Sequence, residues 1–124
     1  MTVVEYSDAM QLARVVEPLL ESDPANNTHT LSALKRIFDQ GAHHDERFYA
    51  VIDADERAVG CAVRVDSQTL FMSAMSASAA ELLAAHLDIE QVALAGVVGR
   101  RDTVMAFVER YARDYESHAN LMLY

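Results

Sequence analysis

What this 124-residue chain has little of narrows its character before any motif is considered. It has one cysteine, Cys61, so no disulfide closes within the chain and no cysteine-based zinc site can be assembled. Ten basic residues stand against nineteen acidic ones, for a formal charge of −9. The only basic clusters are Lys35/Arg36 and Arg100/Arg101, too little to hold a phosphate polyanion, so nucleic acid and membrane surfaces are not expected partners. No apolar run nears the ~20 residues of a bilayer-spanning helix. Met1 to Tyr6 leads directly into strand-like sequence, without the basic and apolar regions of a secretory signal. A cytoplasmic protein is the expectation. Glycine is confined to Gly41, Gly60, Gly96 and Gly99.

What is present is apolar residue in quantity, 52% of the chain, enough for one well-filled core. A chain of this length buries roughly two-thirds of its unfolded surface as one domain, taken here as 1–124. Val3, Val4 and Tyr6 predict a first strand. Ser7 is a candidate cap for a helix carrying Met10, Leu12, Ala13, Val16, Leu19 and Leu20 at helical spacing and ending near Ser22-Asp23-Pro24. Pro24 opens the next element, Asn26, Asn27 and Thr28 offer caps, and a second helix turns Leu31, Leu34, Ile37 and Phe38 inward before stopping at Gly41.

His43 to Glu46 is a polar turn. Strands follow over 47–53 and 58–65, joined by the hairpin turn Ala54-Asp55-Glu56-Arg57, and a third covers 69–74. On the middle strand Val59, Cys61, Val63 and Val65 share one face, while Gly60, Ala62 and Arg64 share the other, beside which a small ligand could approach closely. Ser78 and Glu81 have capping-box spacing for a third helix burying Leu82, Leu83 and Leu87. An apolar strand over 92–98 precedes a fourth helix, capped by Asp102, with Val104, Phe107, Val108, Tyr111 and Tyr115 in one stripe. Leu121 to Tyr124 closes the chain as an apolar strand, which predicts pairing with a second subunit or continuation into a longer protein.

Few residues suggest chemistry. Gly99, Arg100 and Arg101 form the best anion-binding candidate, two guanidinium groups beside a helix start, although Gly99 for a turn and Asp102 for a cap explain the same spacing. Ser76 and Ser78 are read as helix caps. His43, His44, Asp45 and Glu46 carry ligand atoms without a distant partner, and His29, His86 and His118 are scattered, so no metal site is assigned. Cys61, among valines, is expected to be a buried thiol. Tyr111 and Tyr115 share the stripe of Val104, Phe107 and Val108 and are read as core packing, and no catalytic residue is assigned.

The element order, with Phe48-Tyr49-Ala50-Val51-Ile52-Asp53 and Ala58-Val59-Gly60-Cys61-Ala62, resembles the GCN5-related N-acetyltransferase (GNAT) superfamily over nearly the whole chain. Pro24-Ala25-Asn26-Asn27-Thr28, Val59-Gly60, and Val97-Val98-Gly99 ahead of Ala106-Phe107 look like the N-terminal, motif-poor half of a bacterial subgroup with two such folds in tandem. The resemblance implies an α+β, three-layer acyl-CoA N-acyltransferase fold in the order β-α-α-β-β-β-α-β-α-β. Its sheet would be mixed, mainly antiparallel, with helices on both faces. It also implies a Gln/Arg-x-x-Gly-x-Gly/Ala loop for the cofactor pyrophosphate, where glycines let backbone amides approach phosphate at a helix start. This chain has Ala74-Met75-Ser76-Ala77-Ser78-Ala79-Ala80 there, with no glycine and no base, so no acetyl-CoA site is carried over.

Three functions compete. The first is an acetyltransferase-like domain, non-catalytic by itself, serving as structural or partner lobe to a C-terminal catalytic GNAT domain or to a second copy of itself. The second is a stand-alone acetyl-CoA-dependent N-acetyltransferase with an atypical cofactor site, for instance through Arg100 and Arg101. The third is a small dimeric module that binds a ligand beside Gly60 and Ala62.

Overall fold

The computed structural model describes residues 1–40, 46–65, 68–112 and 122–123. Among these residues six strands make one sheet in sequence order: β1 Thr2–Tyr6, β2 Arg47–Ile52, β3 Ala58–Arg64, β4 Thr69–Met72, β5 Gly96–Val98 and β6 Met122–Leu123. β1 to β4 pair antiparallel, whereas β4, β5 and β6 run parallel. The fold is therefore α+β with a mixed sheet.

Helices α1 (Ala9–Ser22) and α2 (Thr28–Gln40), joined by a 3-10 turn at Pro24–Asn27, pack on one face. There Leu12, Val16, Leu20, Leu34 and Ile37 meet Phe48, Ala50, Cys61 and Val63. Helices α3 (Ala77–Ile89) and α4 (Arg101–Ala112) cover the other face, where Leu83, Leu87, Val104 and Phe107 meet Tyr49, Val51, Ala62 and Leu70. Alternation along β2 and β3 thus feeds two cores, and β2 is buried along most of its length because both of its faces are covered.

Local chemistry explains where the elements begin, and several differ from the sequence-based expectation. Asp8, not Ser7, caps α1: its Oδ1 accepts from the Gln11 amide at 2.8 Å, while Gln11 Oε1 accepts from both the Ser7 amide and hydroxyl. Ser76, not Ser78, caps α3, its Oγ accepting from the Ala79 amide at 3.1 Å, and this leaves Ser78 exposed in the first turn. Arg100 supplies the carbonyl that starts α4 by accepting from the Val104 amide, so Asp102 lies inside the first turn and does not cap it.

The expected strand over 92–98 shrinks to Gly96–Val98. The reason is how α3 ends: Gln91 adopts φ 56°, its amide donates to the Asp88 carbonyl, and the Val92 amide reaches back to Leu87. That is a Schellman closure built without glycine, and it turns the chain before the sheet resumes. On β3 a bulge places Val51 opposite Gly60 and Ile52 opposite Ala58, which leaves Val59 as the extra residue. Val59 consequently joins the α3/α4 core, not the Cys61-Val63-Val65 face expected for it.

Phe38, expected inward, is 47% exposed, and Met10, counted in the apolar spacing of the first helix, is 55% exposed. They stand on the outer side of α1 and α2, away from the sheet, along a groove between the two helices. Gly41, His43, His44, Asp45, Tyr115, His118, Leu121 and Tyr124, to which expectations also attached, lie outside the described residues.

Candidate functional site

In open sheets with parallel strands, ligands gather where strand carboxyl ends feed helices. Here β4 leads through 73–76 into α3, and β5 leads through Gly99-Arg100 into α4. Because the two strands are adjacent and parallel, both helix starts lie at the same end of the sheet. This is the region that the glycine-loop expectation and the Gly99-Arg100-Arg101 candidate share.

Four amides of the β4–α3 junction, those of Ser73, Ala74, Met75 and Ala79, are bonded within the chain. Ser73, fully buried, donates its amide to the Cys61 carbonyl and accepts the Cys61 amide on Oγ at 2.9 Å. The Ala74 amide donates to Asn27 Oδ1 at 2.7 Å. Thr103 Oγ1 accepts from the Met75 amide at 3.3 Å and donates to the Met75 carbonyl at 3.2 Å. Asn27 comes from the end of the 3-10 turn on the α1/α2 side, Thr103 from the first turn of α4, and each is only 2% exposed. Two buried side chains from opposite layers therefore occupy amides that would otherwise be available to an anion.

Neither residue carries a distinguishing local signal. Asn27 was legible only as a cap candidate, and 47 positions separate it from the amide it accepts.

The arginine candidate is likewise engaged. Arg100 Nε lies 2.9 Å from Asp102 Oδ1, which also accepts from the Thr103 amide. Gly99 is explained by crowding: a Cβ there would sit 2.9 Å from the Met72 carbonyl oxygen and 3.3 Å from the Met72 Cβ. Arg101 is exposed on the first turn of α4. The structure brings Gly99, Arg100 and Arg101 to one junction, with one guanidinium held by a carboxylate of the same turn.

The space beside Gly60 and Ala62 is filled. A Cβ on Gly60 would meet the Met75 side chain at 2.9 to 3.0 Å, and Ala62 is fully buried in the α3/α4 core. The glycine accommodates Met75, an intramolecular neighbour.

Cys61 is buried, and burial pushes its thiol up to about 12, against a smaller opposing effect of the Ser73 hydroxyl. It is a protonated core residue at neutral pH. Tyr111 stacks on Phe107 with ring centroids 5.6 Å apart and donates its hydroxyl to the Val92 carbonyl at 2.8 Å, anchoring the turn after α3.

Tyr49 has a buried hydroxyl without a hydrogen-bond partner in bonding geometry, although the Arg47 guanidinium is near enough to lower its pKa. Burial first, then Glu5, outweighs that effect and raises the phenol to about 12. No group of three or more potential metal ligands occurs among the described residues, and no helix among them is long and apolar enough to cross a membrane.

Set beside protein-family models, curated proteins and solved structures, the chain matches none of them.

Proposed function

We propose that this chain is an acetyltransferase-like domain of the GCN5-related type that is non-catalytic by itself and acts as the structural or partner lobe of an N-acetyltransferase. The partner is a C-terminal catalytic domain of the same kind or a second copy of the chain, in the cytoplasm. The resemblance of sequence supplies the family. One observation carries the loss of catalysis: the Ala74 and Met75 amides are bonded to Asn27 and Thr103 at the junction where the resemblance implies a pyrophosphate loop. A diphosphate that takes these two amides must displace Asn27 Oδ1, leaving a buried acceptor unpaired at a cost of about 1–3 kcal/mol, and must displace Thr103 Oγ1, which keeps its bond to the Met75 carbonyl.

The same region weakens the alternatives. Arg100 pairs with the Asp102 carboxylate on the surface, so an anion at that junction competes with an acidic side chain, although an exposed pair of this kind is worth only about 0–1 kcal/mol. Met75 occupies the approach to Gly60 on which the ligand-module alternative depends.

Calorimetric titration of the chain with acetyl-CoA and with free coenzyme A tests the proposal. The expected result is no binding heat up to millimolar ligand. Micromolar binding, about −8 kcal/mol, would overturn it in favour of a stand-alone transferase.

A further inference from the structure

We draw no further inference here: the strongest candidate, the cluster of Glu5, Arg47 and Arg64 beside the buried Tyr49 hydroxyl at the end of the sheet where β2 begins and β3 finishes, is engaged within the chain, Arg47 with Glu5 and Arg64 with the Ala93 carbonyl, and nothing in the structure shows a path by which a ligand would reach the hydroxyl.

Discussion

Asn27 and Thr103 show how single side chains can decide what a backbone junction is able to bind. Each is buried and holds an amide at the end of β4 from a different helical layer. Replacing Asn27 with Ala leaves the Ala74 amide without its acceptor, and urea denaturation is expected to show a loss of about 1–3 kcal/mol. A loss within error would mean that the 2.7 Å bond contributes nothing to the fold. Gly99→Ala is expected to destabilise by about 1–3 kcal/mol, because the new methyl group meets the Met72 carbonyl, a backbone atom that cannot turn aside. An unchanged denaturation midpoint would contradict that close approach.

Cys61 gives a pH prediction whose sign follows from burial. Its folded pKa of about 12 lies above the ordinary 9.0, so the unfolded chain releases a proton that the fold keeps. The stabilisation is fully present below pH about 9 and is lost as pH rises toward 12. Tyr49, raised from 10.0 to about 12, acts in the same direction. Urea midpoints should fall through this alkaline range, less steeply in Cys61→Ala, and the native thiol should resist maleimide at neutral pH until denaturant is added. Rapid native alkylation at neutral pH would show the thiol to be accessible.

Among the elements, local patterns located the helices better than their ends. The stripes Leu12-Val16-Leu20 and Val104-Phe107-Tyr111 are buried as their spacing predicts. The caps of α1, α3 and α4 were each displaced by one or two positions. Ser7 and Asp8, or Ser76 and Ser78, are chemically interchangeable as caps, and only the entry geometry of the backbone chooses between them.

The strand expected over 92–98 failed for a different reason. Its apolar run includes Val92, which is buried at 4% exposure but serves the end of α3 and accepts the Tyr111 hydroxyl on its carbonyl. Burial was legible there; strand geometry was not, because Gln91 holds a positive φ that its residue type does not advertise. Val59 changed face for want of any sequence mark of a bulge. Tyr111→Phe, which removes the bond to Val92, is expected to cost about 0.5–1.5 kcal/mol and to speed hydrogen exchange at Val92 and Gln91. Exchange unchanged at those amides would contradict the anchoring role.

At the scale of the whole molecule, the type and order of most elements were legible from pattern, whereas a mixed sheet with helices on both faces was an expectation drawn from the resemblance. The site did not follow from pattern. The absence of glycine was visible in Ala74 to Ala80, but the side chains that hold the Ala74 and Met75 amides come from 47 positions upstream and 28 downstream of them. Their convergence is a product of the fold. It distinguishes a junction that merely lacks glycine from one in which distant side chains hold two of its amides.

The most direct measurement of that closure is an amide-resolved nuclear magnetic resonance titration of the isotope-labelled chain with acetyl-CoA. The Ala74, Met75 and Ala79 amides are expected to stay unshifted up to millimolar ligand, with Ala74 protected from exchange throughout. Saturable shifts at those amides with a micromolar midpoint would contradict the account, because the coenzyme would then have displaced Asn27 and Thr103 and the chain would carry a working cofactor site.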